Sequence, residues 1–115
     1  MFELLKELKK SLNLEYIGIM GKDGFPVYEV KDSFEDSEEK IAELSEILLS
    51  EIKFSHETMK SEILSSFLKL ENKLNIYLFK LNDEYFLIAI FDNSTPFGKV
   101  NFYFSKEKEK IIRKL

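Results

Sequence analysis

Leu4, Leu5, Leu8 and Leu12 recur at helical spacing with Glu3, Lys6, Glu7, Lys9 and Lys10 on the other side, which predicts a helix over residues 2–12. From Leu14 the pattern changes. Leu14–Met20 and Pro26–Val30 read as two strands of a hairpin joined through Asp23-Gly24, because glycine accepts the positive φ that twist-matched turns need. Pro26 cannot donate to a ladder, so the returning strand belongs at or near a sheet edge. A polar break over Lys31–Glu35 follows. Asp36 then opens an Asp-x-x-Glu capping box with Glu39, and a long helix is expected to run to about Met59.

After Ser61 three apolar runs, Ile63–Leu70, Leu74–Leu81 and Tyr85–Phe91, are separated by the short polar gaps Glu71-Asn72-Lys73 and Asn82-Asp83-Glu84. Such spacing predicts an antiparallel meander. In the last run both alternating sets, Tyr85/Leu87/Ala89/Phe91 and Phe86/Ile88/Ile90, are apolar, so that strand should be central and covered on both faces. Val100-Asn101-Phe102-Tyr103-Phe104 has strand-like composition, yet Thr95-Pro96 reads as an N-cap followed by proline at the first helical position. Phe97, Val100, Phe104, Ile111 and Leu115 continue at helical spacing, and the segment is assigned to a helix. The order is then helix, strand, strand, helix, strand, strand, strand, helix. A sheet with helices on both faces is the layered solution, giving an α/β (α+β) fold with one helix on one face and two on the other.

The 115 residues suit a single domain over 1–115, and 44% hydrophobic with 33% charged residues is ordinary for a soluble globular chain. A net charge of −4 argues against a general nucleic-acid binder. Without cysteine there is neither disulfide nor thiolate chemistry. No apolar run reaches the roughly 20 residues of a membrane span, and the charged N-terminal pattern lacks a signal-peptide core. The expectation is a cytoplasmic protein with no membrane insertion.

Candidate chemistry is sparse. His56 is the only histidine and lies late in a helix, off its most apolar face, so neither a metal site nor a Ser-His-Asp arrangement can be built on it. The four glycines form no phosphate-binding loop, and the single arginine, Arg113, is an improbable donor to a partner's phosphoryl-transfer site. No catalytic residue, cofactor or metal is expected; the chain does not read as an enzyme.

The middle helix is more informative. At about 100° per residue Ile41, Leu44, Leu48, Ile52 and Met59 fall on one core stripe. Ile47 and Phe54 stack on a second line, amid Lys40, Glu43, Ser50 and Glu51. Two readings stand: a broad core face with these residues at its margin, or a second seam that another chain covers. The run Ser61–Leu70 would place Ile63, Ser65, Phe67 and Lys69 on one face, and Leu64, Ser66, Leu68 and Leu70 on the other. As a sheet edge it invites a second strand, and antiparallel pairing with its own copy would give a two-fold dimer. The candidate interface residues are therefore Ile47, Glu51, Phe54, Ile63, Ser65 and Phe67.

Element order and three tracts resemble the Roadblock/LC7 family, found in dynein light chains and in regulators of Ras-like GTPases such as bacterial MglB proteins. The tracts are Leu14–Met20 with Asp23-Gly24-x-Pro26-Val27, the long helix near 36–59, and Asn93–Val100. The aromatic run Phe102–Phe104 departs from the pattern. The resemblance implies a five-stranded antiparallel sheet between the middle helix and the two terminal helices, an α/β/α sandwich. It also implies homo- or heterodimers through the middle helix and third strand, and a non-enzymatic scaffold or regulator that docks a small Ras-like GTPase. The alternative is a small-ligand sensor of the PAS or profilin-like type, with Ser65, Ser66, Asn75 and Tyr77 as candidate pocket residues.

Overall fold

The strand assembled last along the chain is the one at the centre of the sheet. The computed structural model describes the backbone of residues 1–31 and 38–115, and the side chains of these residues except 38–41. Its elements are α1 (Phe2–Leu12), β1 (Tyr16–Gly21), β2 (Pro26–Lys31), α2 (Glu38–Glu57), β3 (Ser65–Lys69), β4 (Leu74–Lys80), β5 (Tyr85–Asp92) and α3 (Phe97–Arg113). The sheet order is β2-β1-β5-β4-β3, and every neighbouring pair is antiparallel. The predicted α/β class and element order are those observed, with β2 and β3 at opposite edges.

Both faces of β5 are covered, as its doubly apolar pattern requires. Leu87, Ala89 and Phe91 join Leu4, Leu5, Leu8 and Leu12 of α1 and Val100, Phe104 and Ile111 of α3 in one core. Phe86 and Ile88 join Leu44 and Leu48 of α2 in the other. Aromatic rings supply much of the first core: Tyr77 stacks on Phe104 at 5.8 Å between centroids, and Phe79 meets the same ring edge-on at 5.9 Å.

Helix ends account for several local outcomes. Asn13 takes a left-handed conformation (φ 54°), and the Leu14 N–H bonds back to the Lys9 carbonyl, ending α1 in a Schellman closure. α2 closes more widely: the Met59 N–H reaches the Phe54 carbonyl, Lys60 has φ 54°, and the Ser61 N–H reaches back six residues to the Ser55 carbonyl. Met59 consequently leaves the core stripe and is exposed, against the helical expectation. The proposed Asp36–Glu39 capping box and the Ile41 side chain lie outside the described residues. Thr95 does not cap α3. Pro96 occupies the N-cap position without a side-chain cap bond, while the Thr95 hydroxyl donates to the carbonyls of Leu12 (2.9 Å) and Asn13 (3.3 Å), clipping the end of α1 to the start of α3.

In the hairpin, Gly24 sits at φ 90° beside Leu49, and the Gly24 carbonyl accepts a bond from Ser45 of α2. Gly18 has a different role. The Tyr16 ring lies across it to donate to Glu29 at 2.8 Å, and a Cβ on residue 18 would stand 2.4 Å from the Tyr16 oxygen. Burial, reinforced by the Glu29 carboxylate, holds the Tyr16 hydroxyl far above the ordinary phenol range.

Candidate functional site

The β3 edge is where the sheet is least finished. Lys80 donates its N–H to the Leu64 carbonyl, and Leu70 donates to that of Leu74. Antiparallel pairs alternate between bonded and unbonded, so Ser66 and Leu68 share the bonded parity with β4. The N–H and C=O groups of Ser65, Phe67 and Lys69 therefore point away from β4, toward the open side. No residue of β3 is fully buried. Phe67 is 41% exposed although its ring contacts Phe97 at 4.5 Å and Phe91 at 6.3 Å. Leu64 and Leu70, at the two ends of the strand, are exposed as well.

On the other side of the sheet the edge continues into α2. Ile47 is half-buried and, with Leu68, packs against the α2-side core. Phe54, two turns further on, is 55% exposed. Glu43, Glu46, Ile47, Ser50, Glu51 and Leu68 line a groove of ≈ 490 Å³ between helix and edge strand. Ile47 thus follows the marginal-core reading, and Phe54 does not.

One expected placement changes. The strand begins at Ser65, so alternation does not extend back through Ile63. Ile63 packs with Ile52 and Leu68 on the α2 side, whereas the Phe67 ring lies on the α3 side. Ile47, Glu51 and Ile63 therefore lie on the α2 side of the edge, Ser65 and Phe67 belong to the strand itself, and Phe54 is exposed one turn beyond Glu51 and two beyond Ile47 along α2. Sequence reasoning missed Leu64, 73% exposed, because it was assigned to a continuous strand. It also missed Phe97, whose helical spacing marked it as core but whose ring closes over Phe67.

The four polar residues proposed for a ligand pocket do not converge on one cavity. Asn75 is buried, with its amide nitrogen donating to the Phe91 carbonyl and Asn93 Oδ1. The Tyr77 hydroxyl, raised in pKa by burial, donates to Asn101 at 2.6 Å. Ser65 shares an open groove with Tyr77, and Ser66 lies on the opposite side of the sheet from it. His56 borders a shallow depression with Lys22, Glu62, Lys80 and Asp83, where Lys80 is ion-paired to both carboxylates and its pKa is raised, chiefly by the Glu62 hydrogen bond. Among the described residues no group of three or more His, Cys, Asp and Glu side chains is placed to hold a metal ion. None of their helices is long and apolar enough to cross a membrane.

No protein-family model and no curated protein matches the chain. Solved structures do. Superposition on MglB of Myxococcus xanthus gives a TM-score of 0.81 at 17% identity, over 96% of this chain and 84% of that one. The Roadblock/LC7 domain from Streptomyces avermitilis gives 0.79 at 8% identity, over 98% and 95%. The chain has the Roadblock/LC7 fold. The gliding protein MglB from Thermus thermophilus extends the likeness, with a TM-score of 0.81 at 16% identity over 97% of this chain and 85% of that one. Within the Roadblock/LC7 fold, the flank of α2 from Glu43 to Glu51 and Leu68 of the edge strand line one open groove.

Proposed function

We propose that this chain pairs through β3 into a two-fold homodimer that serves as a non-enzymatic scaffold and regulator for a small Ras-like GTPase in the cytoplasm. The observation that carries the reading is the outward backbone parity of Ser65, Phe67 and Lys69, with Ile47 and Glu51 of α2 lining the adjoining groove. Antiparallel pairing about Phe67 would set Ser65 opposite Lys69 of the second copy and give one ten-stranded sheet. Phe54, Ile47, Glu51 and Ile63 would then meet their symmetry mates on the α2 side, with apolar anchors inside a polar rim. The likeness in fold to MglB and to a Roadblock/LC7 domain supports the GTPase assignment.

Light scattering at micromolar concentration should give a mass twice that of one chain, and a clean monomer would overturn the dimer. For the partner, a Ras-like GTPase loaded with a GTP analogue should be retained by immobilised dimer. Stimulation of GTP hydrolysis, where measured, should survive Arg113→Ala, because the dimer acts by ordering the GTPase's own groups. Strong loss in that variant would refute this mechanism.

A further inference from the structure

The two helical layers carry opposite charge. α2 holds six glutamates against Lys40 and Lys53, a net −4. α1 and α3 together hold eight basic residues against four glutamates, a net +4. The positive charge on α3 is also aligned. At about 100° per residue Lys99, Phe102, Lys106 and Arg113 fall within roughly 60° of one another, opposite the buried Val100, Phe104 and Ile111. All four are exposed, Phe102 by 61%. Glu109 lies at the margin of this line, and Lys6 and Lys10 of the neighbouring α1 are exposed on the same side of the sheet.

We infer that the α1/α3 face docks on an anionic lipid surface. The basic residues spread over two adjacent helices. Lys6, Lys9 and Lys10 of α1 share a groove, but Glu15 and Asp92 line it too, and none of the aligned α3 cations enters it, so it does not suit a nucleic-acid backbone. An exposed phenylalanine in the middle of a basic line suits the headgroup–acyl boundary, where aromatic rings settle while lysines meet phosphate. The acidic α2 layer does not cancel the attraction. It lies two layer spacings away, about 20 Å, whereas screening acts over about 8 Å at physiological salt. Pairing through β3 strengthens the effect, and that part of the inference rests on the proposed dimer. A two-fold axis relating antiparallel neighbours in one sheet stands perpendicular to it, so both α1/α3 layers would lie on the same side. The face would then present twice the charge to one plane.

Flotation with phosphatidylcholine vesicles, with and without about one-third phosphatidylserine, tests this directly. The protein should float with the anionic vesicles only, and release in about 0.5 M salt is expected. K99E/K106E/R113E should weaken binding by about a hundredfold or more while leaving the thermal midpoint and oligomeric mass unchanged. Phe102→Ser should weaken it several-fold, and E43K/E46K on α2 should leave it intact. Equal binding to neutral vesicles, or wild-type binding by the triple variant, overturns the inference. Tighter capture of a random-sequence RNA, abolished by the same triple variant, would assign the face to nucleic acid and overturn it as well. The dimer is scored separately: a monomer that still floats with anionic vesicles sinks only the dimer, and a dimer that does not float sinks only the lipid face.

Discussion

The two edges of the sheet are built on opposite principles. At β2 the edge carries Pro26, a register shift opposite Ile19/Met20, and the ion pair of Lys31 with Glu29 at 3.7 Å. The hairpin behind it is fixed by Gly24 and by bonds from Ser45 and Tyr16. At β3 the strand is five residues long and straight in register, with Lys69 as its only charge. Proline, bulges and charge are the usual protections of an exposed edge. They are concentrated at β2, whereas β3 keeps only its short length and Lys69, so the two edges differ in how strongly they resist a further strand.

The comparison can be broken most directly at the backbone. Lys69→Pro removes an N–H that points away from β4, so the chain's own ladder is kept while the proposed dimer would lose two bonds. Dimer affinity should fall about a hundredfold, with the monomer's circular dichroism unchanged; sedimentation at graded concentrations reads this out. At the other edge, Gly24→Ala forces a side chain into φ 90° with a Cβ 3.1 Å from Leu49. A loss of about 2 kcal/mol in denaturant stability is expected, without effect on oligomeric mass. Phe54→Lys against Phe25→Lys compares two exposed phenylalanines, 55% and 70% accessible, on the two sides of α2. The first should weaken the dimer about tenfold and the second leave it as it was; equal effects would erase the distinction between the edges.

The smallest effect concerns Asp92 at the turn from β5 into α3. The Ser94 hydroxyl and N–H both donate to its carboxylate and hold its pKa below the ordinary value. A depressed folded pKa means that this contribution is present above the unfolded carboxylate value of about 3.9 and fades as pH falls through the lowered one. A carboxyl-carbon NMR titration should place the Asp92 midpoint below the ordinary aspartate value of about 3.9. An ordinary midpoint would remove the turn from the account.

Strand order was legible because Pro26 and the doubly apolar pattern of residues 85–91 constrain opposite ends of the same problem. What was not legible lay at element ends. Alternation over residues 61–70 looked continuous, but the chain leaves α2 through the left-handed Lys60 with Ser61 bonded back to Ser55, and the strand begins only at Ser65. Thr95 matched an N-cap by residue type, and a tertiary acceptor at Leu12 claimed its hydroxyl. The flank of α2 was half readable: Phe54 stood out by spacing, whereas the packing of Ile47 against the core depends on Leu68, which no local rule brings near.

The central place of β5 has a consequence for how the chain is made. The hairpins β1–β2 and β3–β4 each close over a few residues, yet they meet only through β5. The apolar side of α1 likewise finds Phe91 and Phe104 only after most of the chain has been synthesised. Long-range pairing of this sort is slow to form, so a nascent chain that has emerged from the ribosome only as far as residue 80 still lacks the strand to which both β1 and β4 pair. Such intermediates are prone to exchange strands with a neighbour. For this protein the eighty-fifth to ninety-second residues decide whether two small hairpins become one sheet.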